Sequence, residues 1–167
     1  MTPSLLAVDT NFLMDLARSN EAALDALEII RHRARGTRMM ATLTVLDELD
    51  HKAHNDPDFE TRAHARKAMS NMRAWGVSPV ELADPQDSIA HSIANKLLIQ
   101  GVVPWEERND ARILAEAAVL GCQMLITSDS DLCGADRAQV AHVLRERGMP
   151  AVVIRTPREI VREFGGR

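Results

Sequence analysis

The stretch LLAVDTNFLMDLA, Leu5 to Ala17, carries the reading of this chain. Leu5–Val8 is continuously apolar, as a strand buried on both faces requires, and Phe12, Leu13 and Leu16 then recur at helical spacing. Thr10 or Asn11 is positioned to cap that helix. Between strand and helix stands Asp9. An ionised carboxylate is costly to take out of water, so at the end of a buried strand it should face solvent, a partner charge or a metal ion.

Outward from this stretch the same punctuation repeats. A second helix is expected from Asn20, with Leu24, Leu27 and Ile30 as its apolar stripe and Gly36 at its end. MMATL (Met39–Leu43) reads as the second strand, and Thr44 caps a helix carrying Leu46, Leu49 and Ala53. Asp56-Pro57 breaks the chain, and the next helix runs through Ala63, Ala68, Met69 and Met72 to Gly76. The methionines Met39, Met40, Met69 and Met72 read as core filler. VSPVEL is a weak strand that Pro79 restricts to a sheet edge or a strand end. Helices are expected over Ile89–Ile99 and Ala111–Leu120, separated by a loop with Pro104 and Trp105. QMLIT (Gln123–Thr127) is a strong buried strand, a helix around Val140–Arg147 ends at Gly148, AVVIR is the last strand, and Pro157 opens a terminal helix. Alternating strands and helices imply an α/β fold, with a mostly parallel sheet covered by helices on both faces. In such sheets the ligand lies beyond the carboxyl ends of the strands, at a topological switch point. The 167 residues fit a single domain, 1–167, without internal repeat or linker.

Composition narrows the function classes. With 46% hydrophobic and 26% charged residues the chain is not of the disordered type. Aromatic residues make up 3% and Tyr is absent, so the chain has few rings to offer a base-stacking sheet of the RRM or OB type. A net charge of −4 argues against a simple electrostatic nucleic-acid binder, though not against an enzyme whose acidic centre is masked by metal ions. Cys122 and Cys133 form no C-x-x-C pair and are expected reduced, Cys122 within the core. No signal-peptide pattern and no membrane-length apolar run is seen, so a cytoplasmic protein without a membrane partner is expected.

The acids recur in a pattern. LITSDSDL sets Asp129 and Asp131 directly after a buried strand, as Asp9 follows the first. TLTVLDELDHKA has Asp47, Glu48 and Asp50 near a helix start, and RNDARILAEAAVLG puts Asp110 just before an apolar helix. Four segments thus bring carboxylates to element ends that can converge on one sheet edge. Gathered there they repel and raise one another's pKa unless a cation intervenes. Hard divalent ions with oxygen ligands relieve that repulsion, activate water and neutralise a phosphodiester undergoing displacement. Each acid also has a plainer role: Asp9 and Asp110 as helix caps, Asp129 and Asp131 as turn organisers, Glu48 as a solvated helix residue. Two other chemistries fall away. Glu48-x-x-His51 has di-iron spacing but no second copy, and Asp9-Thr10-Asn11 lacks the second aspartate of haloacid dehalogenase-type phosphatases.

AVDTNFLMDL, TVLDELDHKA, NDARILAEAAVLG and LITSDSDL, in that order, resemble the four acidic segments of PIN-domain ribonucleases, a family that includes VapC-like toxins and PIN segments of RNA-processing proteins. The resemblance runs from Leu5 to about Thr156. It implies a three-layer α/β/α sandwich with a parallel five-stranded sheet and Mg²⁺- or Mn²⁺-dependent cleavage of single-stranded RNA. It matches Asp9, Glu48, Asp110 and Asp129 to the metal-binding catalytic acids and Asp131 to a less regular fifth ligand. Asn11, Thr127 and Ser128 fall at supporting polar positions. On this reading the partners are single-stranded RNA, an antitoxin protein in the toxin setting, and a second copy of the chain in a homodimer. A stand-alone processing nuclease is the other setting, and a non-catalytic PIN-like module binding RNA or protein is the rival. Arg31, Arg33 and Arg35, and Arg62, Arg66 and Arg73, read either as solvated helix faces or as an RNA path. Trp75 and Trp105 read either as packed rings or as base-stacking faces.

Overall fold

Strands β1 (Leu5–Val8), β2 (Arg38–Thr42), β3 (Val77–Val80), β4 (Met124–Ile126) and β5 (Val153–Arg155) pair in parallel, in the order β3-β2-β1-β4-β5. The computed structural model describes residues 4–33 and 35–166, with the side chains of Ser130 and Asp131 outside that description. The central strand β1 carries Ala7 and Val8 with no exposed surface, as its unbroken apolar run requires. β3 occupies an edge, where Pro79 can sit opposite Ala41 without breaking a two-sided ladder.

Helices cover both faces. On one side α1 (Thr10–Ala17), α2 (Glu21–Arg33), α4 (Phe59–Trp75) and α9 (Pro157–Phe164) pack together; on the other lie α5 (Asp84–Ile99), α6 (Arg108–Val119) and α8 (Arg137–Glu146). α3 (Leu43–Asn55) packs chiefly on α4 but also touches α6. This is the α/β/α sandwich of a PIN-like fold, and parallel neighbours joined by helices demand such layering. No helix among the described residues is long and apolar enough to cross a membrane. Cys122 is buried and Cys133 half-buried, both free thiols.

Several local expectations need correction. Asp9, in extended backbone, caps α1 through the Phe12 amide, because Thr10 and Asn11 are already helical. Asn20 does accept from Ala23 at the head of α2, but α2 ends at Arg33 and Gly36 lies in the turn beyond. Leu24 is 40% exposed, while Ala23, Ala26, Leu27 and Ile30 are buried; small residues let α2 lie close to its neighbours and leave Leu24 at the rim. Ala63 is exposed and Met69 38% exposed, since Ala65, Ala68 and Met72 form the inward stripe of α4. Gly76, at φ 77°, turns the chain out of α4 into β3. α3 starts after Thr42, not behind a Thr44 cap, and the Thr44 hydroxyl is directed elsewhere. α6 starts three residues early, which takes Asp110 inside its first turn, and the short helix α7 (Ser130–Gly134) was not anticipated.

Candidate active site

β1 and β4 are neighbours although far apart in sequence, and the chain leaves them toward opposite halves of the sheet. Their carboxyl ends therefore form the switch point where an open α/β sheet leaves a crevice. Asp9 continues β1 there: its amide donates to the Ile126 carbonyl at 3.0 Å, and its side chain is 2% exposed. One carboxylate oxygen accepts from the Phe12 amide at 2.8 Å, and the other accepts from the Thr127 hydroxyl. Cap and site acid are thus the same group.

Thr127 ties the two strand ends together. While its hydroxyl donates to Asp9, its oxygen accepts from the Asp129 amide at 2.9 Å. Asp129 is further oriented by the Asn11 amide at 3.3 Å and by the Leu132 amide at 3.2 Å in the first turn of α7. From β2 the chain enters α3, whose second turn brings Glu48 to the Thr10 hydroxyl and to the Asn109 amide, the latter at 2.7 Å. Asp47 and Asp50 on the same helix are exposed, and Asp50 faces His54 at 3.3 Å. At 100° per residue Glu48 lies 100° from Asp47 and 200° from Asp50, so with Glu48 turned inward the other two, which share a face, turn outward.

Asp110 completes the group from the first turn of α6. It is 8% exposed, and its Oδ2 is buried without a hydrogen-bond partner among the described residues. Burial, then the charges of Asp129, Asp9, Glu107 and Glu48, push its carboxyl up to about 8. Asp9 is pushed up to about 7, chiefly by burial; the Thr127 and Phe12 hydrogen bonds pull it down, and Asp129 and Glu48 push it further up. Two desolvated acids held among others of like charge make a strongly electron-rich crevice. Among the described residues no three His, Cys, Asp or Glu side chains close into a ready-made ligand cage. The donor set is all oxygen and includes an unpartnered buried carboxylate oxygen, which fits a hard divalent cation that keeps several of its waters.

The remaining candidates fall elsewhere. Ser128 donates to Asp15 at 2.6 Å, away from the acids, and the Asp131 side chain lies outside the described residues. Arg38 opens β2 opposite Leu5, so the Arg31–Arg35 group belongs to the amino edge of the sheet, across from Asp9. There Arg31 donates to the Ala74 carbonyl and Arg33 to the Gly166 carbonyl. Arg62 holds the Asp56 carbonyl at the α3–α4 turn, and Arg66 and Arg73 are exposed along α4. Thr10, Asn109 and Glu116 were missed as site residues. Thr10 and Asn109 adjoin Asp9 and Asp110, and that adjacency was the available signal; Glu116 had none, because an acid inside AEAAV looks like a solvated helix position.

No family model matches the chain, and no curated protein sequence does. Solved structures do resemble it. A chain of VapBC2 from Rickettsia felis, bound to a DNA fragment from their promoter, superposes with TM-score 0.61 at 12% identity, over 91% of this chain and 98% of that one. VapBC-1 from nontypeable Haemophilus influenzae gives 0.60 at 17% identity, over 92% and 98%. VapBC-5 from Mycobacterium tuberculosis, a member of the VapBC family of toxin–antitoxin systems, gives 0.55 at 20% identity, over 91% and 98%. At these identities the likeness is one of fold.

Proposed function

We propose that this chain, a PIN-like fold shared with VapBC proteins, is a divalent-metal-dependent ribonuclease acting on single-stranded RNA, working as the toxin of a toxin–antitoxin pair. The observation that carries the reading is the meeting of Asp9, Glu48, Asp110 and Asp129 at the β1/β4 switch point, with a buried Asp110 oxygen that no donor among the described residues satisfies. A binding module gains nothing from burying acids where phosphates must come. The toxin setting draws on the fold likeness to a toxin–antitoxin system, and an antitoxin covering the acidic crevice is the partner it implies.

Asp9, Glu48, Asp110 and Asp129 would hold the ion, Mg²⁺ or Mn²⁺. Once bound, such an ion makes water nucleophilic near neutral pH and neutralises charge on the phosphodiester. The protein's own part is orientation. Thr127 fixes Asp9 and Asp129 relative to each other, Asn11 turns Asp129, and Thr10 with Asn109 aims Glu48. Each of these donors takes one carboxylate lone pair, and an ionised carboxylate has about four to offer. The buried strand ends deny bulk water to one wall, which strengthens every charge interaction there.

The test is cleavage of single-stranded RNA by wild type and Asp9→Asn, with Mn²⁺ and with excess EDTA. Wild type with Mn²⁺ should cut, and both the variant and the chelated enzyme should lose activity by orders of magnitude, the variant keeping its circular dichroism spectrum. Undiminished cutting by Asp9→Asn, or in EDTA, would refute the proposal. Calorimetry with Mn²⁺ separates the binding-module alternative, which requires no metal site.

A further inference from the structure

An aromatic ring a few residues upstream of Asp110 is not used by the chemistry above. A 3₁₀ turn, Trp105–Glu107, runs directly into α6, so Trp105 stands one turn upstream of Asn109, whose amide reaches Glu48. Trp105 is 53% exposed. The chain has three Phe, two Trp and no Tyr. Phe12 is fully buried and Trp75 packs against the core, while Phe59, which opens α4, and Phe164 in α9 are exposed on helices that carry none of the four acids.

Arg108 adds a second feature. Its guanidinium sits over the Trp105 ring, 6.0 Å from the centroid, and among the described residues its side chain makes no ion pair or hydrogen bond. From Asn109, the residue that follows Arg108, a cavity of about 490 Å³ opens between α3 and α6, lined also by Asp47, Glu48, His51 and Lys52. Lys52 likewise has no ion-pair partner among the described residues. Glu106 and Glu107 share the turn, so positive charge alone cannot attract a polyanion here. Affinity has to come from a contact that charge does not cancel, and an exposed indole face supplies one.

We infer that Trp105 and Arg108 form a nucleobase subsite for single-stranded RNA: the indole stacks on the base of a nucleotide flanking the cleaved bond, and Arg108 takes that nucleotide's phosphate. A base can reach the ring only when it is splayed out of a duplex, so the subsite selects unpaired RNA. The inference rests on the ribonuclease reading. Stacking on an exposed ring tolerates any base, because every base has a π-face, and therefore sets position more than sequence.

The test uses the full chain with Mn²⁺ and a mixed-sequence single-stranded RNA. Trp105→Ala should raise KM between about fivefold and a hundredfold with kcat nearly unchanged, and Trp105→Phe should recover most of the loss. With wild-type enzyme, an abasic ribose moved along the RNA should raise KM at one position beside the cut and little elsewhere. That position should lose its penalty in Trp105→Ala, since the variant has no stacking left to forfeit. A flat abasic scan with unchanged KM in Trp105→Ala, as expected of a ring kept for a protein partner, overturns the subsite. It leaves the ribonuclease reading standing if Asp9→Asn is still inactive, whereas a wild type that cuts no RNA removes both.

Discussion

At the scale of single residues, the site is a set of acids whose charge the fold alone does not compensate. Asp9 and Asp110 bind their protons more tightly in the folded protein, at about 7 and about 8, than at the ordinary value of 3.8. Between those values the folded chain carries more protons than the unfolded one, so raising the pH through this window removes stability. Each pH unit costs up to about 1.4 kcal/mol per group. In EDTA, Tm should therefore fall from mildly acidic pH to pH about 8, and Asp110→Asn should flatten the fall and raise Tm at its alkaline end. A calorimetric scan over pH in which Asp110→Asn shows the wild-type slope would mean that Asp110 ionises freely. Mn²⁺ should stabilise wild type more at the alkaline end than at the acidic end, because it binds the ionised acids.

At the scale of elements, the geometry of Glu48 depends on how α3 docks on α6. Glu116, buried on α6, accepts from the Thr44 hydroxyl at 2.7 Å and from Arg112 Nε at 2.9 Å, while Arg112 also reaches Asp87 on α5. One acid thus pins the first turn of α3, one turn before Glu48, to the helix that carries Asn109 and Asp110. Among the described residues its Oε2 and the Thr42 hydroxyl are both buried without partners, so this joint has little polar redundancy. Glu116→Ala strips Thr44 and Arg112 of a shared acceptor and should cost about 2–4 kcal/mol in a denaturant titration. Mn²⁺ affinity should drop as well, since Glu48 loses its anchor. A variant that is destabilised but binds Mn²⁺ like wild type would show that Glu116 only holds the helices together.

At the scale of the whole molecule, sheet order brings four distant segments to one crevice and leaves the Arg31–Arg35 group at the opposite edge. Substrate entering over the carboxyl ends meets the acids and the α3–α6 cavity before any of those arginines. The proposed toxin role predicts that expression of the chain alone arrests growth, with degraded RNA in the cells, and that Asp9→Asn does not. Normal growth alongside soluble, active enzyme would favour the stand-alone processing nuclease instead.

Strand and helix types were legible in the residues themselves, because local patterns depend only on near neighbours: the apolar run of Leu5–Val8, Pro79 at an edge, Gly76 closing a helix. The recurrence of acids at element ends was legible too, and the fold brings Asp9, Glu48, Asp110 and Asp129 near one another, as the chemistry proposed for them requires. Helix boundaries slipped where two residues competed for a cap, as Asp9 did with Thr10, and inward faces slipped where alanines let helices close up, as at Leu24. Tertiary structure alone decided which of Asp47, Glu48 and Asp50 turns inward, that Thr127 bridges two strands 118 residues apart, and that Glu116 is buried. Those outcomes depend on which elements become neighbours across the sheet, and chain order carries no local signal for that.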